Sequence, residues 1–167
     1  MNRNQILRLS LLLLVSGCKG RDKEKDVIAS DSPFDKIKLT DLENKTFGMG
    51  QYKGKTIFLN FWATWCKPCL AEMPSIEKAN STLKNENIIF LLASSESIEE
   101  IDAFRNTHNY DFNYARIENS EELGIQVLPT TFIFNSEGKL VFSESGSRKW
   151  SEKSNIDMIL KIANKNE

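Results

Sequence analysis

The sequence predicts an α/β fold, a central mixed sheet flanked by helices and extended by an N-terminal β-hairpin. Three observations predict it. Two nearly continuous apolar runs, KTIFLNFWA (55–63) and NIIFLLASS (87–95), are rich in β-branched and aromatic residues, the pattern of strands buried on both faces. A helical pattern from Lys67 to Leu83 separates them, so they form a βαβ unit with parallel strands and a right-handed crossover. Later, TTFIFNSEGKLVFSE (130–144) places two β-prone runs on either side of an Asn-Ser-Glu-Gly turn, which predicts an antiparallel hairpin at the sheet edge.

At 167 residues the chain is one domain with an appendage. A hydrophobic share of 40% and a charged share of 27% are those of an ordinary soluble core. Net charge is −1, with acids and bases interspersed, so there is no basic stripe and no nucleic-acid partner is expected.

The appendage is N-terminal. Arg3 and Arg8 precede a short apolar stretch, Leu9–Val15, and then Ser16, Gly17 and Cys18. This is the layout of a secretory signal over residues 1–17, and its apolar run is shorter than the roughly 20 residues that span a bilayer. VSGC (15–18) resembles the lipobox of bacterial lipoproteins. That resemblance implies cleavage before Cys18 and lipid attachment to it, with each buried CH₂ contributing about 0.8 kcal/mol to anchoring. Residues 18–33 are polar, mixed in charge and aperiodic, and read as a tether with an r.m.s. span on the order of 20 Å. The folded domain is expected over 34–167.

Within it, KIKLTDLENKTFGM (36–49) carries short β-prone runs about an Asn-Lys turn, the expected hairpin. GMGQYKG (48–54) reads as a loop whose glycines fit neither a dinucleotide nor a P-loop fingerprint. In the first long helix Met73, Ile76 and Leu83 fall on one side. SIEEIDAFRNTHN (97–109) predicts a second helix, with Ile98, Ile101 and Phe104 inward and Glu99 and Glu100 in the first turn, where the helix dipole favours acids. KWSEKSNIDMILKIANK (149–165) predicts a last helix with Trp150, Ile156, Ile159 and Ile162 inward.

The chemistry concentrates in Cys66 and Cys69. As a staple the pair closes too small a loop to stabilise much. As a metal site it lacks partners, because zinc takes four ligands and the sequence adds only His108. Envelope copper carriers of related fold use a longer cysteine spacing. As a redox couple it fits, because C-x-x-C beside a βαβ pattern is a thioredoxin-like signal. Strand-loop-helix geometry puts Cys66 at a helix N-terminus, where free N–H groups and the helix dipole favour its thiolate. Pro68 suits the first helical turn. Cys66 is then the attacking thiol and Cys69, one turn further in, the resolving thiol.

FWATWCKPCLAEMP (61–74) with LPTTFIFNSEGKLV (128–141) resembles the thioredoxin-like thiol-disulfide oxidoreductases of bacterial envelopes, the TlpA/ResA/DsbE type. The likeness runs from about Phe34 onward and includes the N-terminal hairpin and the inserted segment NYDFNYARIENSEELGI (109–125). It implies a thioredoxin-like fold, catalysis by Cys66 and Cys69 with no cofactor beyond their disulfide, and substrate contacts from Trp65, Lys67, Pro68, Leu128 and Pro129. Pro129 in VLPTT matches the family's cis-proline loop; on its own it reads as an edge or strand-entry residue, and the W-C-x-x-C upstream turns the reading to cis. Pro74 matches a proline inside the first long helix.

Two flanking positions bear on direction. Asn60 stands where ordinary thioredoxins carry a buried aspartate, and it cannot titrate. Glu72 is three residues beyond Cys69, and spacing alone allows either an exposed helix residue or an acid–base group. The ResA-like resemblance implies the second. Lys67 reads either as a solvated side chain or as a weak stabiliser of the Cys66 thiolate. The implied protein is a membrane-tethered, monomeric reductase of disulfide-bearing envelope proteins, as in cytochrome c maturation, fed by a membrane-bound thiol donor. A copper-binding or peroxidase-type protein of the same fold is the alternative, although the P-x-x-x-T-x-x-C peroxidase motif is missing.

Overall fold

A computed structural model of the chain describes residues 32–164. The expected signal segment 1–17, Cys18 and the tether as far as position 31 lie outside the described residues. The chain opens with α1 (Pro33–Lys36), capped by the Ser32 hydroxyl, and then β1 (Lys38–Thr40) and β2 (Thr46–Gly48), which pair antiparallel. Asp41 Oδ1 closes their turn by accepting from the Glu43 and Lys45 N–H groups, both at 2.9 Å, and Asn44 takes a left-handed conformation. The segment read as a glycine loop contains one 3₁₀ turn, Met49–Tyr52, whose Met49 side chain is buried.

The remaining elements are β3 (Thr56–Phe61), α2 (Lys67–Thr82), β4 (Ile88–Ser94), α3 (Ile98–Thr107), β5 (Asn113–Ile117), β6 (Thr130–Phe134), β7 (Leu140–Ser145) and α4 (Lys153–Ala163). They build a seven-stranded mixed sheet in the order β2-β1-β5-β4-β3-β6-β7. β3, β4 and β5 run parallel, and β6 and β7 extend the sheet antiparallel.

β5 corrects the sequence reading, which left 109–125 as an inserted segment. Asn113 and Arg116 interrupt its apolar pattern, so NYARI does not announce a strand. It becomes one by pairing on both sides, parallel to β4 and antiparallel to β1, and it is what joins the N-terminal hairpin to the sheet.

The period of two along β3 divides the core. Phe58 and Trp62 face the cluster that receives Met73 and Ile76 of α2, Ile101 and Phe104 of α3 and Ile159 of α4. Ile57, Leu59 and Phe61 face the opposite cluster, closed by Phe34, Ile37 and Met49 from the N-terminal segment. Asn60 therefore points to the α2 side, a buried polar residue between two aromatic ones. Trp150 is fully buried just ahead of α4, edge-on to Phe58 at 4.7 Å. α3 begins with a reciprocal capping box between Ser97 and Glu100.

Candidate active site

The site lies beyond the carboxyl ends of parallel strands β3 and β4, the usual position for a site in an α/β sheet. β3 runs into a tight turn closed by the Cys66 N–H donating to the Ala63 carbonyl at 3.1 Å. Cys66 is the N-cap of α2, and its Sγ accepts from the Cys69 N–H at 3.3 Å. A sulfur thus takes the place of the usual hydroxyl cap, which is the placement that favours a thiolate. Lys67 and Pro68 follow as the first two helical residues, so Pro68 sits at the second position, where no N–H is missed. Cys66 and Cys69 are joined as a disulfide with a Cα–Cα distance of 5.3 Å.

The two sulfurs are not equivalent. Cys66 lines a cleft of about 650 Å³, whereas Cys69 is fully buried and does not reach it. Trp65 and Pro68 form one wall of that cleft, Val127 and Leu128 another, and Ser95 a third. Trp65 is 72% exposed and Val127 55%, large apolar surfaces in the cleft that Cys66 lines. Lys67 is exposed at the rim. The Leu128–Pro129 peptide is cis, and the Pro129 carbonyl accepts from the Gly146 N–H at 2.8 Å, tying this loop to the end of β7. Pro74 lies inside α2 and leaves the Leu70 carbonyl without its helical donor.

One turn beyond Cys69 along α2 a buried polar chain begins. Glu72 is 3% exposed, so it is not a surface helix residue. Its Oε1 accepts from Asn60 Nδ2 at 2.8 Å, and its Oε2 accepts from the Arg148 N–H at 3.0 Å and from Trp150 Nε1 at 3.3 Å. Asn60 Nδ2 also donates to Thr131 Oγ1 at 3.0 Å, while Asn60 Oδ1 has no partner among the described residues. Burial pushes the Glu72 carboxyl above its ordinary value; the N–H groups of Arg148, Asn60 and Trp150 pull it back, and Glu144 adds a small upward push.

Sequence reasoning singled out Glu72 but not what holds it. The segment 147–150 lies along the start of α2. Ser147 Oγ donates to the Pro68 carbonyl, Ser75 Oγ donates to the Glu72 carbonyl, and the Trp150 N–H donates to Ser75 Oγ. The Arg148 guanidinium pairs with Glu144, donates to Asn155 Oδ1 and lies over the Phe142 and Trp150 rings. Also unread was Glu96, whose carboxylate accepts from Thr64 in the turn before Cys66. Its one sequence signal is its place just after β4, at the end of the sheet where sites form. His108 ends α3, its ring stacked on Phe104.

The redoxin family pattern matches residues 29–160. The chain is 35% identical over 155 residues to the thiol-disulfide oxidoreductase ResA of Bacillus thuringiensis (strain Al Hakam), covering 84% of this chain and 88% of that protein. It is 31% identical over 127 residues to ResA of Bacillus subtilis (strain 168), covering 74% and 71%. Among solved structures it superposes on the exposed lipoprotein thioredoxin Etrx1 of Streptococcus pneumoniae strain TIGR4, with a TM-score of 0.59, 27% identity and coverage of 74% and 96%. It also superposes on a thiol:disulfide interchange protein of the thioredoxin family from Chlorobium tepidum TLS, with a TM-score of 0.60, 23% identity and coverage of 75% and 91%. With a C-x-x-C disulfide at a helix N-terminus on a thioredoxin-like sheet, the chain belongs to the redoxin family as a thiol-disulfide oxidoreductase of the ResA type.

Proposed function

We infer that this oxidoreductase works as a reductase of disulfides in proteins of the bacterial envelope, those of cytochrome c maturation among them. The observation that carries the direction is Glu72, a buried carboxyl one helical turn beyond Cys69 and hydrogen-bonded to Asn60 where a thioredoxin acid would stand. In the reduced protein the Cys66 thiolate attacks one sulfur of the substrate disulfide. A Cys66–substrate bond forms and the first substrate thiolate leaves. Cys69 then gives its proton to the Glu72 carboxylate and attacks Cys66 Sγ. The Cys66–Cys69 bond forms and the second substrate thiolate leaves, so two electrons have passed to the substrate. A membrane-bound dithiol donor reverses the exchange and restores both thiols. Trp65, Lys67, Pro68, Leu128 and Pro129 receive the substrate chain around Cys66.

The same reading places the protein at the membrane as a monomer held by lipidated Cys18, on the extracytoplasmic face. The lipobox-like VSGC supports this, and the pneumococcal relative is itself an exposed lipoprotein. Among the described residues no helix is long and apolar enough to cross a membrane.

Two measurements test the proposal. The midpoint potential of the Cys66–Cys69 couple is expected to be strongly reducing; a value near −120 mV, that of a dedicated oxidant, would sink the reductase direction. In cells, Cys69→Ala is expected to hold its substrate as a mixed disulfide at Cys66, identified by mass spectrometry. If no cysteine-bearing partner accumulates, the exchange with envelope proteins is wrong.

A further inference from the structure

We propose that Glu96 is a positioning residue of the redox site, clasping the turn that presents Cys66. The proposal rests on the thiol exchange described above. Glu96 lies in the connection between β4 and α3, far in sequence from the cysteines. Its two oxygens close on one residue: Oε2 accepts from the Thr64 N–H at 2.7 Å and Oε1 from the Thr64 hydroxyl at 2.5 Å. Oε2 also accepts from the Ser94 hydroxyl at 2.9 Å, and the Glu96 N–H donates back to Ser94 Oγ at 3.2 Å. Ser94 is buried at the end of β4, so the carboxylate is itself held on the sheet. Bonds of this kind to a carboxylate are about twice as strong as neutral ones.

What the clasp controls follows from where Thr64 stands. It is inside the turn closed by the Cys66 N–H and the Ala63 carbonyl, two residues before the sulfur that caps α2. If that turn rocks, Cys66 leaves the N-cap and Sγ loses the Cys69 N–H and the field of the helix end. The clasp also lies beside the cleft. Ser95 lines both the cleft that holds Cys66 and the polar recess that holds Glu96. The recess is shared with Arg116 and Glu118, ion-paired at 2.9 Å, and with Glu121 and Glu122. Glu96 thus fixes the turn that carries the sulfur to the end of β4 without touching the reacting atoms.

Charge and tether have opposite effects on Cys66. The negative charge of Glu96 opposes a thiolate, whereas the tether that keeps Cys66 at the helix end favours one. Glu96→Gln and Glu96→Ala are equal in charge, but only the Gln amide oxygen can still accept from Thr64. The test is therefore the pH profile of iodoacetamide alkylation at Cys66 of the reduced full-length protein, read by mass spectrometry. The Ala profile is expected at higher pH than the Gln profile, by about half a unit, with alkylation below the midpoint about threefold slower. Coincident Ala and Gln profiles overturn the proposal. If Glu96→Ala does not unfold cooperatively, Thr64→Val, which removes the hydroxyl arm alone, takes its place. A shift upward from wild type supports the clasp and an unmoved profile refutes it. Alkylation needs no disulfide substrate, so failure of the reductase reading, seen as an oxidising midpoint potential or an empty Cys69→Ala trap, is distinguishable from failure of the clasp.

Discussion

Asn60 Nδ2 donates to Glu72 Oε1 at 2.8 Å, linking the carboxyl end of β3 to the second turn of α2 through the interior of the molecule. In this fold an acid on that strand serves the buried cysteine of thioredoxins. Here the acid is on the helix and the strand supplies an amide. The amide anchors the acid, and Asn60 Oδ1, without a partner among the described residues, becomes an acceptor for a protonated Glu72 if the amide turns over.

Glu72 is expected to titrate with the redox couple. Its carboxyl already lies above the ordinary 4.5, chiefly through burial. Reduction adds a thiolate nearby, and a like charge raises a carboxyl further. Difference infrared titration of the carboxyl band is expected to give a higher midpoint in the reduced than in the oxidised protein. Equal midpoints would separate Glu72 from the cysteines.

The same upward shift sets the sign of a stability change. Because the folded carboxyl binds its proton more tightly than the unfolded one, its contribution is fully present below about pH 4.5 and is lost as pH rises through the folded value. Glu72→Gln removes that dependence. Urea denaturation of the oxidised proteins is expected to show the variant gaining on the wild type as pH rises from 4.5, each tenfold in proton affinity being worth about 1.4 kcal/mol. A constant difference across that range would contradict the assigned burial.

Asn60→Asp restores the thioredoxin-like acid without removing Glu72. Two carboxyls would then face each other across the present 2.8 Å contact and share one proton. The pair is expected to titrate well above either ordinary value, and the variant to lose about 1–3 kcal/mol at neutral pH, with stability recovered on acidification. Denaturation at two pH values reads this directly.

The legible parts were those in which residue type and spacing act locally. β3 and β4 announced themselves because burial on both faces demands unbroken apolar runs. Cys66 and Cys69 were legible because a strand–turn–helix can put a sulfur in only one place. Illegible were the contacts made by residues distant in sequence. Arg148 holds Glu72 through its backbone N–H, which any residue type except proline would offer. Glu96 reads as a loop acid until the fold brings it to Thr64. β5 is a strand because two neighbours pair with it, a condition invisible in NYARI.

Gly138 ties the N-terminal segment to the closing hairpin. It has φ of +81°, and its carbonyl accepts from Ser32 Oγ at 3.1 Å. A Cβ there would meet the Phe34 ring at 3.0 Å, and Phe34 is buried against Phe134 with ring centroids 5.4 Å apart. Gly138→Ala thus combines backbone strain with a clash and is expected to cost about 1–3 kcal/mol in chemical denaturation. The midpoint potential should not move, because the turn lies at the opposite end of β6 from Pro129.

Trp150→Phe isolates one donor to the acid. The indole N–H reaches Glu72 Oε2 at 3.3 Å, and the ring fills the space between Phe58 and Phe142. Phenylalanine keeps an aromatic ring but removes the N–H and some volume, so a packing loss of about 1–3 kcal/mol is expected. Packing loss alone would leave the acid where it was. Losing a donor that favours the charged form instead raises the Glu72 carboxyl further, because the Trp150 N–H is one of three groups that pull it down. The infrared midpoint of the oxidised variant is therefore expected above that of the wild type, while Phe142→Leu, which alters the packing on Trp150 and Arg148 but removes no N–H from Glu72, leaves it in place. If both variants shift it equally, the indole N–H contributes nothing to the proton affinity of the site.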